Sequence, residues 1–261
     1  MARLARVVAP GVPHHVVQSG NRRQPVFFRD EDYVSYLSLM KEWCDKVKVS
    51  VWAYCLMPDQ VHLIVVPKKA TGLARAIGEA HRRYTRRVNL REDWLGYLFQ
   101  GRFASYPMAD DYLPHVLRYV ELYPVRTGVV SQPGDYAWSS ARAHLRQATD
   151  PLIQVGAVEG RIGDWGEFLK QDVPKLEQEI IERHLRTGRP LGEPGFVAEL
   201  ERRLHRPLAP QKPGRKPGWR RRRKRRGLDA GGVCHVSEIQ CNDAEQVCPV
   251  AENSGAVKAD P

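Results

Sequence analysis

The residues best placed to do chemistry lie in Met57-Pro58-Asp59-Gln60-Val61-His62-Leu63-Ile64-Val65. On a strand, side chains two apart project from one face, so Gln60 and His62 point together while Val61 and Leu63 enter the opposite layer. An imidazole nitrogen and an amide oxygen on a rigid strand are both acceptable ligands to Mn²⁺, or less comfortably Mg²⁺. A lone strand histidine more often simply packs, so this pair needs company. Downstream, His115, Tyr119 and Tyr123 are spaced i, i+4, i+8 and share one helix face. A tyrosine hydroxyl is a nucleophile once its proton is removed. Tyr84, set among Arg82, Arg83, Arg86 and Arg87, is the rival.

These residues need elements to hold them. Val12–Gln18 reads as a first strand before the turn-like Ser19-Gly20-Asn21. Asp30 is placed to cap a helix over 30–47, with Tyr33, Tyr36, Leu37, Met40, Trp43, Cys44 and Val47 at helical spacing. Val49–Leu56 and Gln60–Val66 form a hairpin about Met57-Pro58-Asp59. A second helix spans Leu73–Asn89, Phe99–Met108 is extended, and Asp110–Tyr123 is a third helix stopped by Pro124. This order predicts an α+β, ferredoxin-like antiparallel sheet with helices on one face. The domain runs over 1–145, followed by a helical appendage over 146–208. Within that appendage Leu176–Leu185 and Phe196–Leu204 have a helix-turn-helix flavour. A basic tail, disordered by composition, occupies 209–261.

The net charge is +11, and ten basic residues with no acid lie between Lys212 and Arg226, so the excess sits almost wholly in one segment. Such a run binds phosphates without sequence preference. With no apolar stretch of about twenty residues and no signal peptide at Met1–Pro10, the expected location is cytoplasmic, associated with the nucleoid and not the membrane. Cys44 and Cys55 read as buried thiols. Cys234, Cys241 and Cys248, with His235, are spaced too widely for a typical zinc cluster.

The Met57–Val65 segment resembles the Met-Pro-Asn-His-hydrophobic-His motif of the single-tyrosine HUH transposases. Further matches follow in order: Ser19-Gly20-Asn21-Arg22-Arg23-Gln24 with Phe27-Phe28, Tyr84 to Asn89, Gln100-Gly101-Arg102-Phe103, His115 to Val125 with Gly128, Trp138-Ser139-Ser140, and Thr187 to Gly192. Together they resemble the REP-associated tyrosine transposase branch over about residues 5 to 215. The resemblance implies an enzyme that binds hairpin-forming single-stranded DNA and cuts and rejoins one strand through a 5′-phosphotyrosine. Tyr119 would be the nucleophile, with a divalent metal (Mg²⁺ or Mn²⁺) at the motif pair Gln60 and His62. A phenol with a pKa of about 10 needs such help at neutral pH.

Two positions depart from the pattern. Gln60 replaces the first motif histidine, and Tyr123 replaces an amide side chain one turn beyond the nucleophile, so the third ligand is lost, supplied by water, or taken over by His115 or Tyr123. Arg22, Arg23, Arg82, Arg83, Arg86, Arg87 and Arg102 are the expected phosphate contacts, with Tyr84, Phe103 or Tyr106 stacking on bases. The competing readings are a DNA-binding descendant with a degraded metal site and an RNA-binding module. The protein would act as a monomer or homodimer.

Overall fold

The computed structural model describes residues 5–210. The basic run and Cys234, Cys241, Cys248 and His235 lie outside that range. Four strands, β1 (His14–Ser19), β2 (Val49–Met57), β3 (Gln60–Pro67) and β4 (Ala104–Pro107), form one sheet in the order β2-β3-β1-β4, with every neighbouring pair antiparallel. That is the ferredoxin-like order expected from the sequence. The alternation read in β3 holds: Val61, Leu63 and Val65 enter the layer beneath α1 (Asp30–Val47) and α2 (Gly72–Glu92), and Ile64 enters the opposite one.

The two crossover helices α1 and α2 cover one face, as expected. The other face is covered too. Ala53, Cys55, Met57, Ile64, Tyr106 and Met108 form a second apolar layer there, and so much apolar surface must be kept from water. The cover comes from α3 (Leu113–Glu121), which continues into the single turn α4 (Tyr123–Arg126), and from segments after it. Short turns α5 (Ala141–His144) and α6 (Gly156–Glu159) lead to α7 (Trp165–Lys170) and α8 (Lys175–Thr187), and Leu169 and Ile181 join this layer. Finally α9 (Pro194–Leu204) packs Leu200 against Val7, Ala9 and Val12 of the N-terminal segment. The appendage expected over 146–208 is thus largely the second wall of the sheet.

Several expected boundaries move. Arg29, not Asp30, precedes the first turn of α1, and Asp30, Glu31 and Asp32 lie within it, where carboxylates favour the helix dipole. Only Ala104–Pro107 of the expected extended segment over Phe99–Met108 is strand. The third helix is not stopped by Pro124. A proline lacks only an N–H, which the first turn of a helix does not use. Helical geometry breaks at Leu122 and restarts, with Pro124 in the first turn and the Arg126 N–H donating to the Leu122 carbonyl at 2.9 Å.

The helix pair on the first face is tied by Asp32 at the start of α1 and Arg91 at the end of α2. The Asp32 side chain is fully buried, and it accepts two hydrogen bonds from the Arg91 guanidinium and one from the Phe28 N–H at 3.0 Å. Burial alone would raise this carboxyl, but those hydrogen bonds and the Arg91 and Arg29 charges leave it below its ordinary range. Its contribution to stability is therefore present above the unfolded carboxyl pKa of about 3.9 and fades as pH falls below it. Arg91→Met strands this buried carboxylate, and denaturant unfolding at neutral pH is expected to show a loss of about 3 kcal/mol that shrinks in acid. A loss below about 0.5 kcal/mol, the range of an ordinary surface substitution, would contradict that role.

Candidate functional site

The second face of the sheet carries the polar residues. Register places His15 of β1 opposite Ile64 and Val17 opposite His62, so His15 and His62 are diagonal neighbours on one face. Their rings stack with centroids 5.5 Å apart, and His15 Nε2 lies 3.3 Å from His62 Nδ1. Tyr106 of β4, directly opposite His15 in register, brings its hydroxyl to 3.1 Å from His15 Nδ1. All three side chains are buried.

Hydrogen bonding fixes the protons in this row. His15 Nδ1 is the only hydrogen-bond partner of the Tyr106 hydroxyl among the described residues. A buried O–H left undonated costs about 1–3 kcal/mol, so Tyr106 donates and His15 Nδ1 accepts. The His15 proton then sits on Nε2 and is donated to His62 Nδ1, which leaves the His62 proton on Nε2. Both rings are held neutral. Burial, with the His62 and Arg126 charges adding, pushes His15 well below the ordinary histidine range, and burial with Arg126 lowers His62 to about 3. His62 Nε2 is buried and has no partner among the described residues.

Tyr119 closes the site from α3. Its ring lies 6.1 Å from His62 and 6.0 Å from His15, centroid to centroid, and it is only 5% exposed. One turn on, the Tyr123 ring lies 4.5 Å from His62, and its hydroxyl donates to Gln60 Oε1 at 3.0 Å. A further turn brings Arg126, whose guanidinium carbon stands 4.0 Å over the Tyr119 ring and 5.2 Å from that of Tyr123. Its Nη1 is buried without a hydrogen-bond partner. Burial pushes the Tyr119 hydroxyl up to about 12, with the positive charge of Arg126 opposing the rise. Burial, with Asp59 adding, raises Tyr123 as well.

Tyr119, Tyr123, His62 and Gln60 thus meet as expected. His115 does not join them: it is half exposed and turns to α8, with Nδ1 2.9 Å from a Glu177 carboxylate oxygen. As a third ligand it is ruled out by that direction. His15 and Arg126 were not among the residues expected here. The strand period of two pairs His15 with Tyr106 only once the register is known. Arg126 lay beyond a helix wrongly ended at Pro124, although it is seven residues from Tyr119 and hence on the same face.

The expected phosphate contacts divide. Arg22 and Arg23 are exposed in a single 3-10 turn after β1, both with positive φ, and the charge of Arg23 reaches Tyr123. This turn depends on Gly20, where a Cβ would come within 2.0 Å of the Gln24 carbonyl oxygen. Arg82, Arg83, Arg86 and Arg87 belong to α2, which packs on the far face of the sheet from Tyr119. Arg82 is paired with Glu79 at 2.6 Å and Arg83 lies 5.0 Å from the Trp43 ring, while Arg86 and Arg87 are exposed. Arg82 and Arg102 line a cleft of about 500 Å³ with Gln18 and Tyr97.

The aromatic expectations are corrected. Tyr84 is fully buried against Phe27, Tyr36 and Phe99 and donates its hydroxyl to the Val26 carbonyl at 2.6 Å, so it is a core residue, neither a stacking surface nor a rival nucleophile. Phe103 is buried beneath Arg6 and Tyr106 is buried beside His15. Among the described residues the exposed rings are Tyr97, Trp94 and Phe28.

The residues present do not suit a divalent cation. No group of three or more His, Cys, Asp or Glu side chains able to hold a metal occurs among the described residues. The Gln60 oxygen is taken by Tyr123, the free nitrogen of His62 carries a proton, and a guanidinium already stands over the tyrosines. Hard cations want several anionic oxygen donors; Asp59, Asp172 and Glu182 lie within electrostatic reach of Tyr123, Arg126 and Tyr119, but they form no metal-holding group among the described residues.

Residues 10–122 match the family described as IS200-like transposases. No curated protein matches the chain. Among solved structures, a REP-associated tyrosine transposase bound to a REP hairpin is 19% identical, with a TM-score of 0.48, over 59% of this chain and 90% of that one. A protein described as a transposase from Deinococcus radiodurans R1 is 19% identical, with a TM-score of 0.33, over 46% and 96%. A bacterial tRNA(His) guanylyltransferase-like protein in complex with GTP is 7% identical, with a TM-score of 0.35, over 49% and 67%. Among the described residues no helix is long and apolar enough to cross a membrane.

The hydrogen-bonded row makes a spectroscopic prediction. In ¹⁵N-histidine spectra His15 and His62 are expected to stay neutral from pH 8 down to pH 5, with the proton on Nε2 of each ring. Titration of either near the ordinary histidine value of about 6.5 would contradict the burial and pairing described.

Proposed function

We propose, from the match of residues 10–122 to the family described as IS200-like transposases, that the chain is a strand transferase of the REP-associated kind, acting on hairpin-forming single-stranded DNA through Tyr119. The observation that carries this reading is the placement of Tyr119: its ring lies against two neutral, buried histidines and beneath a guanidinium. Tyr84, the competing nucleophile, has its hydroxyl spent in the core.

In the proposed reaction the Tyr119 oxygen attacks a backbone phosphorus in line. A phosphorus–oxygen bond to the tyrosine forms as the bond to the 3′ oxygen breaks, and the phenol proton is balanced by the one that the departing 3′ oxygen takes up. The product is a 5′-phosphotyrosine and a free 3′-hydroxyl, so rejoining needs no outside energy. The chain's own groups orient the tyrosine and exclude water from it. Arg22, Arg23 and Arg102 hold flanking phosphates, and the exposed Tyr97 and Trp94 stack on unpaired bases, each a sequence-tolerant contact. Gln60 and His62, the positions at which the resemblance puts a divalent ion, do not suit one here, so no part of this reaction is assigned to a metal.

A second reading is favoured by one contact. The Tyr123–Gln60 hydrogen bond occupies one of the two lone pairs of the amide oxygen, as in a descendant that keeps DNA binding and has lost cleavage.

Incubation with a hairpin-bearing single-stranded oligonucleotide, in Mn²⁺ and separately in a chelator, followed by a denaturing gel, separates the two. The expected result is a covalent adduct that Tyr119→Phe abolishes and Tyr84→Phe does not. Because the hydroxyl is raised to about 12, its phenolate fraction grows tenfold per pH unit below that value. Adduct formation limited by deprotonation is therefore expected to rise about tenfold per unit between pH 7 and pH 9. Hairpin binding without adduct in any condition would establish the second reading.

A further inference from the structure

The site ends in two buried nitrogens, Arg126 Nη1 and His62 Nε2, neither of which makes a hydrogen bond among the described residues, although the Arg126 guanidinium approaches the Tyr119 hydroxyl closely enough to lower its pKa. Unpaired buried donors are costly, and two in one place mark where an acceptor belongs. They flank the same two rings: Arg126 stands over Tyr119 and Tyr123, and His62 lies 4.5 Å from Tyr123 and 6.1 Å from Tyr119.

We propose that this is an anion site, in which the Arg126 guanidinium and the His62 Nε2–H together grip the non-bridging oxygens of the phosphate facing Tyr119, where the family resemblance puts a divalent cation. The proposal rests on the reading of Tyr119 as the residue that meets DNA, and it changes what holds the phosphate there. Three observations support it. The Tyr106–His15–His62 row fixes His62 as a donor at its free nitrogen, and a protonated nitrogen cannot ligate a metal. The Gln60 oxygen, the other expected ligand, already accepts from Tyr123. Arg126 brings a permanent positive charge whose planar fork suits phosphate oxygens, and its place over Tyr119 is the one from which charge developing on an attacked phosphate is offset. The restart of the helix at Leu122 is what delivers it.

The test uses the full chain labelled at arginine and histidine nitrogens, titrated in separate samples with inorganic phosphate and with Mn²⁺. Phosphate is expected to shift the His62 Nε2–H and Arg126 guanidinium signals together, while Mn²⁺ leaves the His62 signal unbroadened. Arg126→Gln is expected to weaken phosphate binding about tenfold or more, and Arg126→Lys less, as the loss of a charge-assisted donor pair predicts. Thermal unfolding of both variants checks that the fold is kept, and Tyr106→Phe, which frees the tautomers without touching either donor, is expected to admit Mn²⁺ broadening.

Mn²⁺ that erases the His62 signal in the unaltered protein would overturn the proposal. So would phosphate shifts that survive Arg126→Gln. The gel assay is scored apart from these: adduct formation in a protein whose Arg126 and His62 ignore phosphate refutes the anion site and keeps the strand-transfer reading. Phosphate bound at both groups with no adduct under any condition keeps the anion site and refutes strand transfer.

Discussion

Two imidazoles and a phenol buried side by side on a sheet face must satisfy one another, and this requirement organises the molecule's second face. Tyr106, His15 and His62 come from three different strands, β4, β1 and β3, and only the antiparallel register brings them into a row. Neutral histidines can be buried at modest cost provided each nitrogen finds a partner. The row meets this demand at every nitrogen but the last, so the single unmet donor emerges beside the tyrosines of α3 and α4. The apolar layer around it, from Ile64 and Met108 to Leu117 and Val120, keeps water from competing for these bonds.

The helix that faces the row is shaped by a proline. A helix ended at Pro124 would present Tyr119 and Tyr123 to the histidines without a guanidinium over their rings. Because the chain breaks at Leu122 and places Pro124 in a fresh first turn, one more turn forms and Arg126 lands over both rings. The guanidinium opposes the rise that burial imposes on the Tyr119 hydroxyl and helps keep His62 neutral.

Much of this was legible in the sequence, and the failures have physical causes. The contrast of apolar Val61, Leu63 and Val65 with polar Gln60 and His62 is plain in the sequence although both faces of β3 are covered, so both the strand and the direction of its polar pair could be read. The stripe of α1 was equally plain. By contrast, His15 sits in His14-His15-Val16-Val17, where both sheet faces are buried and period-two contrast disappears. Tyr84, expected to stack on bases, shares the inward helical spacing of Leu73, Ile77, Ala80 and Val88, and that spacing buries it while the neighbouring arginines turn outward. His115 shares its nominal face with Tyr119, but α8, a partner no local pattern announces, draws it away. The arginines of α2 are exposed as expected; the sheet that separates them from Tyr119 is a tertiary fact.

The central claim is that Tyr119, Arg126 and the end of the histidine row address one phosphate. A crystal structure of the chain with a hairpin-bearing oligonucleotide, trapped as Tyr119→Phe, tests it most directly. The account predicts a backbone phosphorus within about 3–4 Å of the place the missing hydroxyl would occupy, its oxygens bonded to Arg126 and to His62 Nε2. DNA lying instead along α2, with its phosphates on Arg86 and Arg87 and none near position 119, would contradict it.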